Sequence, residues 1–262
     1  MKLELISHHP PNPQYTTPLL FVHGAWHGAW CWENFLPYFA QQGYEAHALS
    51  LRGHGQSQGH ERLRWHSSHD YVADVAHIAQ TLAAPPVVIG HSMGGYVVQK
   101  YLEAHPAPAA VLLASIPVSG ILGFGLRLLR RHPWPFIKAN LILNPWHMIG
   151  TPSLAQDAFF SPHLPAAEVS RHFARLQSES FRLEMDAMLL NLPKPQRVQT
   201  PLLVLAAAND TVFTVKEEEA TAKAYGTTAV IFPNMAHDMM LEPGWQSVAD
   251  HILNWLSAQE IK

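Results

Sequence analysis

Along the chain, short unbroken apolar runs alternate with longer stretches in which apolar residues return every third or fourth position. The runs are "PLLFVHG" (18–24), "EAHALSL" (45–51), "PPVVIG" (85–90), "AAVLLAS" (109–115), "PLLVLAA" (201–207) and "TAVIFPN" (228–234). Each has the length of a strand buried on both faces and is bounded by Gly, Pro or polar residues. Between them, "CWENFLPYFAQQGY" (31–44), "SSHDYVADVAHIAQTLAA" (67–84), "GGYVVQKYLEAHP" (94–106), "EEEATAKAYG" (217–226) and "PGWQSVADHILNWLSAQ" (243–259) read as helices. Val72, Val75, Ile78, Ala79 and Leu82 recur at helical spacing, Ser67 or Ser68 is placed to cap that helix, and Gly43 closes the one before it. Apolar strands alternating with helices predict an α/β domain with a mostly parallel central sheet flanked by helices.

Residues 117–192 break this rhythm. No apolar strand run occurs there. The segment carries Pro133, Pro135, Pro145, Pro152, Pro162 and Pro165 among Trp134, Phe136, Trp146, Phe159 and Phe160. A stretch this long inside one domain needs structure of its own or a function. It reads as an inserted helical cap (117–192), with 1–116 and 193–262 forming the core, and its five aromatics are candidates to line a substrate pocket. The alternative is a second hydrophobic layer that touches no ligand.

Composition narrows the function classes. The 262 residues fill one α/β domain rather than two, and 48% hydrophobic residues with 14% charged ones describe a globular chain. A formal net charge of −3 without a Lys/Arg run argues against nucleic acid. The start "MKLELISHHPPNPQY" lacks the apolar core of a secretory signal, and no apolar run reaches membrane-spanning length, so a cytoplasmic protein with no membrane span is expected. The single Cys31 rules out an internal disulfide and a Cys-rich metal site. The 18 histidines make net charge sensitive to pH near the imidazole range. Neither a metal nor a cofactor is expected. Asp70, Asp74 and His77 fall at helical spacing but read as a solvated face, and His8, His9, His66, His69 and His77 read as surface or capping residues. The oligomeric state is open.

The candidate chemistry is in "VVIGHSMGGYV" (87–97). Gly90-His91-Ser92-Met93-Gly94 follows an apolar strand and opens a helix. A turn that sharp strains the serine and excludes large flanking side chains, and it holds the hydroxyl above the carboxyl ends of the strands. A serine hydroxyl needs a base to take its proton, and the base needs an acid to orient it. His237, in the loop after "AVIF", and Asp210, in the loop after "LLVLAA", occupy the matching strand ends. Asp210 also has the simpler reading of a turn aspartate. Asp238 is a rival acid, but a sequence neighbour cannot easily turn back onto the far imidazole nitrogen. The negative charge of an attacked carbonyl would be met by the backbone N–H of Met93 and by that of Ala25 in His23-Gly24-Ala25-Trp26. His23 and His54 read as loop braces, His91 as pointing away from the nucleophile, and Trp26 as a pocket residue.

"FVHGAWHGAWCW", "LRGHGQS", "GHSMGG", "NDTV" and "AHDMMLEP" together resemble the α/β-hydrolase superfamily over nearly the whole chain. They are similar to capped carboxylesterases, to monoacylglycerol-lipase-like enzymes and, most of all through "HGAWHGAWCW", to the plant methylesterase and hydroxynitrile-lyase branch. The resemblance implies an α/β-hydrolase fold and a Ser92–His237–Asp210 mechanism without metal or cofactor. It implies hydrolysis of a small-molecule carboxylic ester through an acyl-enzyme. Three other outcomes fit the same residues: a C–C or hydroxynitrile-type lyase, a receptor-like binder with slow turnover, and a cofactor-free perhydrolase. The plant lyases carry a lysine after the catalytic histidine, whereas this chain has Asp238.

Overall fold

A computed structural model describes residues 1–261. Seven strands form one sheet: β1 (Glu4–His8), β2 (Leu19–Val22), β3 (Ala46–Ser50), β4 (Val87–His91), β5 (Ala110–Leu113), β6 (Leu202–Ala207) and β7 (Ala229–Phe232). Their spatial order is β1-β3-β2-β4-β5-β6-β7. Among the described residues, only the β1–β3 pair is antiparallel. The six anticipated runs are β2 to β7. The N-terminal β1 was not anticipated, because an edge strand of mixed polarity lacks the apolar run that marks the others; its residues are half-buried or exposed.

The strands are apolar throughout because both faces are covered. Leu19, Phe21, Val87, Ile89, Val111 and Leu205 point to one face, where α1 (Phe35–Gln41) and α11 (Trp245–Ala258) pack. Leu20, Val22, Val88, Leu112 and Val204 point to the other, against α2 (Ser68–Thr81), α3 (Met93–Leu102) and α10 (Val215–Ala224). The alternation is the period-2 geometry of a strand. Helix starts follow local chemistry. Ser67 with Asp70, and Thr214 with Glu217, make reciprocal capping boxes at α2 and α10. The helix read over 31–44 is shorter, because a 3-10 turn (Ala29–Trp32) precedes α1.

Between β5 and β6 the chain makes a helical excursion of α4 (Leu122–Arg131), α5 (Pro133–Ile142), α6 (Trp146–Ile149), α7 (Pro152–Phe159), α8 (Ala166–Phe173) and α9 (Phe181–Met185). Pro133 and Pro152 sit at helix starts, where the missing N–H has no partner to lose. Two readings of surface positions need correction. Asp74 is not on a solvated face: it is 2% exposed and takes a forked pair of bonds from Arg52, which also binds Asp70. His66 is buried and its Nε2 donates to the Gly59 carbonyl at 2.8 Å. Among the described residues, no helix is long and apolar enough to cross a membrane.

Candidate active site

Strand β4 runs straight into α3 with one residue, Ser92, as the corner. Its φ of 51° and ψ of −117° lie outside the ordinary regions for a residue with a side chain. The corner exists because its neighbours are glycines. A Cβ at Gly94 would sit 2.2 Å from the Val22 carbonyl oxygen, and one at Gly90 2.4 Å from that of Gly94. Both obstacles are backbone and cannot rotate away. Gly94→Ala should therefore lower the unfolding free energy by about 3 kcal/mol or more, the upper end of overpacking costs, as read from a urea midpoint. An alanine variant with an unchanged midpoint would mean that the corner relaxes freely.

The corner holds the hydroxyl above the sheet, where the loops after β6 and β7 meet it. His237 Nε2 lies 2.9 Å from Ser92 Oγ, and His237 Nδ1 lies 2.8 Å from Asp210 Oδ2. The other carboxylate oxygen, Oδ1, accepts the N–H groups of Val212 at 2.7 Å and Phe213 at 3.0 Å. Asp210 can accept only, so Nδ1 carries the proton and Nε2 is free to take one from Ser92. Burial alone would depress the His237 pKa. The charge of Asp210 and its hydrogen bond, with the charge of Asp238, outweigh burial and hold it above the ordinary imidazole value. Ser92 is 7% exposed and His237 1% exposed, so solvent barely reaches this line.

Two backbone donors flank the serine. Met93 opens α3, so its N–H has no helical acceptor. Ala25 lies in the loop after β2. Among the described residues, no backbone carbonyl takes either N–H. The Gly24 carbonyl, in the same peptide as the Ala25 N–H, accepts His23 Nδ1–H at 2.8 Å and the His27 N–H at 3.3 Å. His23 Nε2 in turn accepts the Leu51 N–H at 3.1 Å. His91 points away from Ser92, and its Nε2–H donates to the His237 carbonyl at 3.0 Å. Burial, and then the neighbouring His237 charge, push its pKa down to about 3. Asp238 does not reach the His237 ring nitrogens. Its side chain binds His27 Nε2 at 3.0 Å.

The aromatic candidates separate. The Phe159 ring stacks on His237 at 6.0 Å and lies 5.7 Å from Trp26. Phe160 stacks on His172, one layer out, and Trp146 meets Phe173. Phe136 is half-buried at the edge of the core. Trp134 is the correction. It is 76% exposed and lines an outward groove of about 780 Å³ with Leu141, Ile142 and Trp146, and that groove touches none of Ser92, Asp210 and His237. Aromatic content alone could not say which side of a helix faces inward.

Sequence reasoning passed over His27, Glu179 and Glu218. His27 had a visible signal, since "HGAWHGAW" repeats the His23 context four residues on. Glu179, buried beside Trp26, and Glu218, whose carboxyl burial and the charge of Asp210 push well above the usual carboxylate range, had none. Among the described residues, His91, His237 and Asp238 bring ligand-type atoms within 4.8 Å of one another. Both nitrogens of His237 and Nε2 of His91 are already engaged in hydrogen bonds.

The model of the alpha/beta hydrolase family matches residues 19–250. The non-heme chloroperoxidase of Streptomyces lividans is 36% identical over 110 residues, 40% of this chain and 39% of that one. The salicylic acid-binding protein 2 of Nicotiana tabacum is 33% identical over 101 residues, 37% of this chain and 38% of that one. Each match thus spans under two-fifths of the curated relative's length. Over the whole fold, the crystal structure of a putative aryl esterase from Burkholderia cenocepacia superposes with a TM-score of 0.77 at 20% identity, covering 99% of this chain and 96% of that one.

Proposed function

The chain belongs to the alpha/beta hydrolase family, and from that premise we propose that it is a serine hydrolase cleaving carboxylic esters through an acyl-enzyme. The observation that carries this reading is the unbroken line Asp210 Oδ2, His237 Nδ1–H, His237 Nε2, Ser92 Oγ, at 2.8 and 2.9 Å. Ser92 Oγ bonds to the acyl carbon while His237 Nε2 takes its proton. The carbonyl oxygen, now an anion, meets the N–H groups of Met93 and Ala25. The tetrahedral adduct collapses as His237 returns the proton to the leaving alcohol, and water repeats the sequence on the acyl-serine. Hydrolysis of p-nitrophenyl esters with a stoichiometric burst, together with fluorophosphonate labelling at Ser92, tests this reading directly.

Residues 117–192 act as the lid over this site in the same proposal. The excursion touches all three working loops. Gln177 donates its N–H to the Trp26 carbonyl at 2.9 Å, Thr211 donates to the Asp157 carbonyl at 2.8 Å, and the Asp238 N–H donates to the Phe159 carbonyl at 3.0 Å. Trp26 and Phe159 are the residues placed to meet the substrate, and Phe160 supports them.

The pH profile follows from the base. His237 works only when neutral, and it protonates below a pKa held above the usual ~6.5. The acid limb of kcat/KM should therefore have its midpoint above that value, with activity lost as pH falls through it. A limb centred at or below the free-imidazole value would show that Asp210 and Asp238 do not outweigh burial. A second reading, perhydrolysis, draws on the name of the Streptomyces relative. In it hydrogen peroxide replaces water at the acyl-serine and releases a peracid. Halogenation of a dione by peroxide and bromide in acetate, dependent on Ser92, would register it.

A further inference from the structure

Four buried side chains around the Ala25 loop are not used by the proposed chemistry, and they fall into two matched pairs. His54 is buried. Its Nδ1 lies 3.1 Å from the Arg52 carbonyl and its Nε2 3.0 Å from Glu179 Oε2. His27 is also buried. Its Nδ1 lies 2.7 Å from the Ala25 carbonyl and its Nε2 3.0 Å from Asp238 Oδ2. In each ring both nitrogens face an atom that only accepts when the carboxyl is ionised. Each ring must then carry both protons, as an imidazolium paired with a carboxylate.

The two pairs grip one peptide from opposite ends. The Trp26 N–H donates to Glu179 Oε2 at 3.3 Å, and the carbonyl of the same peptide, that of Ala25, accepts from His27 Nδ1. Trp26 has a φ of 65°, a left-handed conformation that a tryptophan keeps only where its surroundings impose it. The preceding peptide, whose N–H is that of Ala25, is held through the Gly24 carbonyl by His23 and by the His27 backbone. Remote anchors complete the assembly. Glu179 also accepts from Tyr71 Oη at 2.8 Å and from the Ser180 N–H at 2.6 Å, while Asp238 belongs to the loop of the base.

We propose that the His54–Glu179 and His27–Asp238 pairs are positioning devices, which clamp the Ala25–Trp26 peptide so that the adjacent Ala25 N–H is aimed at the developing oxyanion. This rests on the serine-hydrolase reading. The clamp also links the parts of the site: Glu179 comes from the helical excursion and Asp238 from the His237 loop, so lid, base and oxyanion loop share one hydrogen-bonded network. Protonation directions agree. Against burial, the His54 charge and hydrogen bond hold Glu179 low, the His27 charge and hydrogen bond hold Asp238 low, and Glu179 holds His54 high. Other titratable groups face the pairs: His23 and Tyr71 beside His54, His23 also beside His27, Glu184 beside Glu179, and Cys31, His91, His172, His237 and Glu242 beside Asp238.

The test has two arms. Glu179→Gln and Asp238→Asn keep shape and burial but remove the charge. Each should lower kcat on p-nitrophenyl esters by about 10- to 100-fold, less than the about 10²- to 10³-fold expected when an oxyanion donor is lost outright. KM should stay within about threefold. The affinity of a trifluoromethyl ketone, whose serine adduct bears the same oxyanion, should fall by the same factor as kcat. Folded variants with wild-type kcat, or a loss confined to KM, overturn the clamp. The second arm needs no variant: imidazole ¹⁵N spectra of the wild-type chain at pH 7 should show His54 and His27 doubly protonated, with His23 and His91 neutral. Neutral rings at His54 and His27 overturn the proposal even if both variants fail to fold. A wild-type chain with no ester turnover and no labelling at Ser92 would instead sink the serine-hydrolase reading, with the spectra still deciding the pairs.

Discussion

Ser92→Ala should leave a folded protein whose ester hydrolysis is slower by about 10⁴- to 10⁶-fold, the range expected when a serine nucleophile is removed and only binding and oxyanion stabilisation remain. The fold should survive because the Ser92 hydroxyl has one side-chain partner, His237 Nε2, and the corner is held by backbone bonds. The Ser92 N–H donates to the Leu113 carbonyl at 3.0 Å, and the Ser92 carbonyl accepts the Ile116 N–H at 3.0 Å. An alanine keeps the Cβ and the same φ, so the melting temperature should move by less than about 2 °C, which for a chain of this size is under about 1 kcal/mol. Steady-state hydrolysis of p-nitrophenyl butyrate and calorimetry of the same sample measure both. Retained turnover in the folded alanine variant, with a fluorophosphonate still attaching to another serine, would remove Ser92 from the chemistry.

Much of this arrangement was legible because it is local. Parallel strands buried on both faces must be apolar at every position, so β2 to β7 stand out as runs, and Gly90 and Gly94 mark the corner because backbone crowds both positions. Asp210 and His237 could be named because a parallel sheet delivers its loops to one edge, and the structure brings both to Ser92. What stayed hidden is long-range. Glu179 lies 125 residues from His54, in a segment with no periodic signal, and only the fold places it under Trp26. The high histidine content was visible as a number. Its structural content was not: His23, His27, His54, His91 and His237 are all buried, with His23 facing His54 and His91 facing both His27 and His237. Exposure defeated the reading in the other direction at Trp134, because α5 turns Trp134 and Leu141 outward and buries Ala139.

Asp210→Asn should cost about 10⁴-fold in kcat, although it changes neither volume nor fold, because it reverses the direction of one hydrogen bond. Oδ1 faces two fixed donors, the N–H groups of Val212 and Phe213. An asparagine must therefore place its carbonyl oxygen there, since its amide would oppose both. That leaves the amide nitrogen at the Oδ2 position, 2.8 Å from His237 Nδ1. Two donors cannot share that bond, so Nδ1 gives up its proton and the neutral ring carries it on Nε2 instead. Nε2 then donates to Ser92 Oγ and can no longer take its proton. Asp238 cannot stand in, because its carboxylate is bound to His27 and its sequence position keeps it off the imidazole nitrogens. The ¹⁵N spectrum of His237 should report the exchange directly, with protonation at Nδ1 in the wild type and at Nε2 in the variant, while the urea midpoint changes little. Wild-type turnover in Asp210→Asn, or a His237 tautomer that does not move, would assign the orienting role to another carboxylate; the buried Glu218, close enough to feel the charge of Asp210, is the first to replace.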